Sequence, residues 1–186
     1  MRGPEDTLER DLVEKVRAGN RAAFDQLAAI HLPRLLSLSR RMLGSGDEAQ
    51  DALQNALAST WIARAKLDPS KPIAAYLTTV TLNKCRDRLR RRKAAMLLGL
   101  GAFDPDLPVP SDAPDAESEI ADRQALRQVS REIEHLPIRL REALVLVAID
   151  GRSQREAAEL LGVTEKTIET RVYRARQRLR EKLDFV

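Results

Sequence analysis

The chain has 186 residues, 43% hydrophobic and 32% charged, which is enough apolar content for one ordinary core or two small ones and too much for wholesale disorder. Aromatic residues are only 3%, so the cores are aliphatic; the single cysteine, Cys85, excludes an internal disulfide, and with only His31 and His135 beside it no His/Cys metal cluster can form. Lys plus Arg number 32 against 28 for Asp plus Glu, a net charge of +4, so where the charges sit matters more than their sum.

From the N-terminus, Leu8, Leu12 and Val16 recur every four residues and predict a first helix, closed by Gly19-Asn20. Phe24, Leu27, Leu32, Leu35, Leu36 and Met42 predict a second, with Pro33 near a bend. Gly44-Ser45-Gly46 ends it. Asp47 is the expected cap of a third helix, whose apolar set is Ala49, Leu53, Leu57 and Trp61. Lys66 to Lys71 reads as a loop, and a fourth helix is expected from about Pro72 to Lys93 with Tyr76, Leu77, Val80 and Leu82 apolar. Its end carries Lys84, Arg86, Arg88, Arg90, Arg91, Arg92 and Lys93, with Asp87 the lone acid among them. Such a tract suits phosphates, whose neutralisation releases counterions, or merely complements the helix C-terminal dipole. A lone cysteine on a packed helix, as Cys85 is here, is expected to be inert core.

Gly99 to Glu119 differs in kind. Pro105, Pro108, Pro110 and Pro114 alternate with Asp and Glu, and no Lys or Arg occurs between Ala94 and Asp122. Proline blocks helix and unopposed acids repel, so this is a flexible acidic tether. The expected organisation is therefore all-α: a domain over 1–98, a linker over 99–119 and a second helical domain over 120–186. No apolar run is long enough to span a membrane, and Met1 to Arg10 lacks a signal-peptide core, which predicts a cytoplasmic protein.

Past the tether, helices are expected at about Ile120 to His135 and Arg139 to Ile149, the second stopped by Asp150-Gly151. Ser153-Gln154-Arg155-Glu156 is a capping box, Gly162 suits a left-handed helix end, and Thr164 caps the next helix. Val163 and Ile168 form a hydrophobic staple across that cap. The small Ala158, four residues before Gly162, lets two helices cross closely. Ile168, Val172, Ala175 and Leu179 should face inward, which leaves Lys166, Thr167, Glu169, Thr170, Arg171, Tyr173, Arg174 and Arg178 outward. A helix of that kind fits a DNA major groove, where Arg forks read guanine. The plainer alternative is a structural helical hairpin with a solvated basic face.

The wording of these segments resembles sigma-70 factors of bacteria, specifically the small extracytoplasmic-function (ECF) group that keeps conserved regions two and four. AAFDQL (Ala22 to Leu27) resembles its opening helix. DEAQDALQNALASTW (Asp47 to Trp61) and AYLTTVTLNKCRDRLRRRK (Ala75 to Lys93) resemble region two. LPIRLREALVLVAIDGRSQREAAELLGVTEKTIETRVYRARQRL (Leu136 to Leu179) resembles region four. Tyr76 stands where Trp is usual, Thr78, Thr79 and Thr81 replace more basic or aliphatic residues, and Lys166 replaces a frequent Gly. Glu169 stands where a cation is frequent; an acid there accepts from cytosine or stays solvated.

The resemblance implies a non-enzymatic initiation factor, with no cofactor and no metal, that brings core RNA polymerase to promoter DNA. It implies that Asp51 and Gln54 dock on the polymerase clamp helices, with Trp61 better read as core. Lys66, Lys71, Asn83, Arg86 and Arg90 would capture the unwound minus-ten element, and the second helix of the helix-turn-helix would read the minus-thirty-five element. The tether would thread toward the polymerase active centre, or serve as a soluble spacer. An anti-sigma factor is the expected controlling partner. The rival reading is a stand-alone helix-turn-helix regulator with a helical sensor domain.

Overall fold

The computed structural model describes residues 4–98 and 117–183, and among these there are helices and turns but no strand. Most of the acidic tether, residues 99–116, falls outside the described residues; helix resumes at Glu117 rather than Ile120.

The N-terminal domain holds α1 (Pro4–Arg17), α2 (Arg21–Leu43), α3 (Gly46–Ile62), a 3₁₀ turn (Arg64–Lys66) and α4 (Ile73–Leu97). Asn20 starts α2 by accepting from the amide of Ala23 at 3.0 Å. Pro33 does not interrupt it: α2 is one continuous helix with the proline inside, at the loss of the bond to Ala29 that the missing N–H would have made. Gly44 ends α2 at φ 76, a left-handed value that glycine adopts without a Cβ penalty. The cap of α3 is Ser45, which accepts from Glu48 N at 3.3 Å, and not Asp47, which sits inside the first turn.

Leu12, Val13, Val16, Phe24, Leu27, Leu35, Leu53 and Leu77 form a mostly aliphatic core under these helices. Leu8 (56% exposed) and Leu32 (42%) depart from the predicted inward stripes; Val13 takes the inward place beside Leu12 instead. Trp61 packs on Phe24 with ring centroids 5.3 Å apart, and the guanidiniums of Arg21 and Arg64 lie over its ring at 5.0 and 4.6 Å. It is thus a core-edge residue clamped by two cations.

The C-terminal domain comprises α5 (Glu117–His135), α6 (Ile138–Leu144) running into a π-helical turn (Val145–Ile149), α7 (Gln154–Leu161) and α8 (Glu165–Lys182). The π turn was not predicted; the amide of Asp150 reaches back to Val145 O at 2.8 Å, and Gly151 follows at φ 71. The two domains are not separate in space. Leu38, Met42, Leu43, Leu82 and Cys85 share one continuous core with Ile133, Leu136, Leu144, Val145 and Leu146.

Candidate nucleic-acid interface

Local chemistry fixes the helix-turn-helix. Ser153 accepts from Glu156 N at 3.2 Å while the Glu156 carboxylate takes Ser153 N at 2.9 Å, the reciprocal pair of a capping box. The Ser153 amide first, and then its hydroxyl at 2.8 Å, donate to that carboxylate and hold the Glu156 carboxyl below its usual range. Gly162 closes α7 at φ 64, ψ 40, and Val163 N returns to Ala158 O at 3.0 Å. Thr164 Oγ1 then accepts from Thr167 N at 3.2 Å and opens α8. Ile168, Val172 and Ala175 are buried, and Leu179 packs half-buried beside them, so the inward stripe is as the spacing requires.

The outward residues fall on two stripes. Lys166, Glu169, Thr170 and Tyr173 line one side of a groove of about 550 Å³. Thr167, Arg171, Arg174 and Arg178 follow at i, i+4, i+7 and i+11 on the other side. Tyr173 is 66% exposed, whereas Arg171, Thr167 and Thr170 are half-buried. Lys166 Nζ donates to Glu169 Oε2 at 2.8 Å, so the unexpected acid is matched by its own neighbour. The Thr170 hydroxyl donates to Lys166 O at 2.9 Å. The same groove is lined by Gln154, Arg176, Gln177 and Arg180, which the sequence reading left out. Their signal is present in the sequence: 166, 169, 173, 176 and 180 follow helical spacing.

In the N-terminal domain, Asn83 and Arg90 project from the solvent side of α4 and are exposed, with Asp87 between them. Arg90 lies 3.7 Å from that acid. Arg86 is drawn sideways: its Nε donates to Glu142 of the C-terminal domain and its Nη1 to Asn83 Oδ1 at 2.8 Å. Thr78 and Thr81 are 0% and 1% exposed, so they are core and not a surface for DNA. The rest of the basic tract is partly structural. Arg88 reaches Glu48 at 3.0 Å, and Arg92 reaches the same carboxylate at 3.6 Å and donates to Leu43 O at 3.4 Å. Arg91 and Lys93 stay exposed.

The loop after the 3₁₀ turn is built on Asp68, whose carboxylate accepts from Ser70 Oγ at 2.7 Å and Ser70 N at 2.9 Å; these bonds lower its pKa. Lys66 and Lys71 flank this turn, both exposed, with Lys71 Nζ 3.8 Å from Asp68. Asp51 and Gln54 are exposed on α3. Ile62, 78% exposed, continues their stripe three turns on and was not singled out from sequence. No cluster of metal-ligating side chains and no helix long and apolar enough to cross a membrane occurs among the described residues.

An all-helical pair of domains, one ending in a fully capped helix-turn-helix with a basic outer face, defines a DNA-binding protein of two helical modules. Residues 27–95 match the family described as Sigma-70 region 2, and residues 126–179 match Sigma-70, region 4. The RNA polymerase sigma factor CnrH of Cupriavidus metallidurans is 36% identical over 185 residues, covering 97% of this chain and 96% of that protein. The ECF RNA polymerase sigma factor SigM of Mycobacterium tuberculosis is 33% identical, covering 99% of this chain and 89% of its own. CnrH solved with the cytosolic domain of CnrY superposes with a TM-score of 0.69 at 33% identity, covering 95% of this chain and 97% of that one. The sigma factor RpoE of Bartonella quintana, solved with the anti-sigma factor NepR, gives 0.70 at 25% identity over 87% of this chain and 97% of that one. The chain belongs to the sigma-70 family, in its extracytoplasmic-function group, and so is a transcription initiation factor for RNA polymerase.

Proposed function

We propose that the two modules divide promoter recognition as follows. Arg171, Arg174 and Arg178, with Thr167, face one wall of the major groove at the minus-thirty-five element, while Lys166, Glu169, Thr170 and Tyr173 face the other. Asn83, Arg86 and Arg90 on α4, with Lys66 and Lys71 beside the Asp68 turn, hold the unwound minus-ten strand, where cations along the backbone offset the cost of unstacking. Asp51 and Gln54 on α3 dock on core polymerase. The chain performs no bond chemistry itself and works in the cytoplasm. An anti-sigma factor controls it, a reading supported by similar sigma factors having been solved with CnrY and with NepR.

The observation that carries the reading is one chain presenting both matched regions with α8 solvent-facing and fully capped. The test is promoter binding by the chain with core polymerase. Arg174→Ala should weaken it by about 1–3 kcal/mol if the guanidinium is bidentate to a base. Asp51→Lys should weaken polymerase association and leave DNA contacts by α8 intact. Unchanged promoter binding in Arg171→Ala and Arg174→Ala together would remove the recognition face. Unchanged polymerase affinity in Asp51→Lys would remove the docking face.

A further inference from the structure

We propose that Glu169, held by Lys166, reads a cytosine in the minus-thirty-five element, so that this chain selects C where a cation at the same place would select G. The inference rests on the assignment of α8 to that element. Both residues stand near the N-terminal end of α8, the end of a recognition helix that meets base edges. Lys166 Nζ donates to Glu169 Oε2 at 2.8 Å, and the two side chains are 80% and 53% exposed. Helix stability does not account for this pair. An exposed ion pair contributes little, a cation in the first turn opposes the helix dipole, and acid before base is the favoured order along a helix. Both side chains line the groove with Tyr173, Arg176 and Arg180, so one acid stands among cations.

A carboxylate carries only acceptors, so it is repelled by the O6 and N7 acceptors of guanine and can take only a base amino group. Cytosine N4 and adenine N6 each offer one. The adenine amino group lies between two acceptors, N7 of its own ring and O4 of the paired thymine, and these oppose a carboxylate from both sides. The cytosine amino group has an acceptor on one side only, guanine O6, with the apolar C5–H on the other. An ammonium held beside the carboxylate donates to that O6. The Lys166–Glu169 pair therefore presents acceptor and donor side by side to the donor and acceptor of a C·G edge. Lys166 also neutralises the acid, which alone would be repelled by the phosphates on both walls of the groove. Thr170, the next residue on this stripe, does not compete as a donor: its hydroxyl hydrogen is committed to Lys166 O at 2.9 Å.

The test uses the full chain assembled with core RNA polymerase, which selects duplexes from a pool randomised over the minus-thirty-five element. The unaltered chain should enrich C at one position. Glu169→Arg should move that same position to G, and Glu169→Gln should move it to A, the base whose N6 and N7 a carboxamide matches. On duplexes differing at that base pair alone, the unaltered chain should prefer C·G to G·C by about tenfold. Lys166→Ala should shrink that ratio without changing which base is preferred. Glu169 and Lys166 are exposed, so these variants keep the fold. An enriched element that is identical for the unaltered chain and Glu169→Arg overturns the proposal and leaves α8 as the reader. Enrichment of G or A by the unaltered chain at the position that Glu169→Arg alters overturns the cytosine reading. A pool with no enriched element at all removes the assignment of α8, and the proposal with it.

Discussion

The guanidinium of Arg141 donates to the backbone carbonyl of Met42 at 2.7 Å, so a buried side chain of the C-terminal domain finishes the last turn of a helix in the N-terminal one. The same guanidinium reaches Leu136 O at 3.3 Å. Arg141 is 5% exposed, and burial pulls its pKa down to about 10, with the charge of Glu134 acting against that pull. It is a charge kept in the interior because two carbonyls and nearby acids accept it. Arg141→Met keeps volume and removes every donor. The orphaned carbonyls should lower stability by about 1.5–3 kcal/mol, read as a lower urea midpoint with the slope unchanged. An unaltered midpoint would mean that the bond contributes nothing.

Cys85 is buried within the shared core, and desolvation pushes its thiol up to about 11, against a hydrogen bond with Ser39 that pulls it down. Because the folded pKa is raised, the stability tied to the neutral thiol is complete below the unfolded value and is lost as pH rises through the folded one. The native chain should resist a disulfide-exchange reagent near neutral pH and react fully in denaturant. Fast reaction of the native chain would instead make Cys85 a candidate sensor.

His31 sits 7% exposed on α2, with Nε2 3.3 Å from Glu9 Oε1. Burial lowers its pKa from 6.5, Glu9 works in the opposite direction, and Arg34 adds to the lowering. The unfolded chain therefore takes up this proton first. Stability should be constant above the unfolded pKa, fall as pH drops below it, and level off once the folded histidine is itself protonated. His31→Gln should flatten that part of the melting-temperature profile. A profile indifferent to the substitution would place the acid sensitivity elsewhere.

Gly162 occupies the left-handed region at φ 64 with open space where a Cβ would project. Gly162→Ala should therefore act through backbone strain alone, at about 1–2 kcal/mol. Ser153→Ala should cost about 1 kcal/mol through the lost cap. Both changes loosen the angle between α7 and α8, so promoter affinity should fall while α8 remains helical by circular dichroism. Full affinity in both variants would show that the turn geometry is not needed for recognition.

The helix-turn-helix was legible in the sequence because its determinants are local: Ser153 to Glu156, Ala158 to Gly162 and Val163 to Ile168 all act within one turn of chain. The failures are of another kind. Asp47 and Ser45 are both good caps by residue type, and only backbone conformation chooses between them. Pro33 reads as a bend in the sequence, yet α2 runs through it without a break. The basic run on α4 read as one tract, but Glu48 and Glu142, distant in sequence, recruit Arg88, Arg92 and Arg86 into ion pairs. Burial of Thr78 and Thr81 was equally invisible, since a polar residue on the inner stripe of a helix looks like a gap in its pattern. Long-range pairing of charges and the joining of two apolar patches into one core leave no periodic trace.

The most direct measurement is run-off transcription from a promoter with purified core RNA polymerase. The account predicts that the polymerase initiates at a defined start only when this chain is present, and that Arg174→Ala and Asp51→Lys each reduce that initiation. Tight, specific operator binding by the chain alone, with no start-site-specific transcript on adding polymerase, would contradict it.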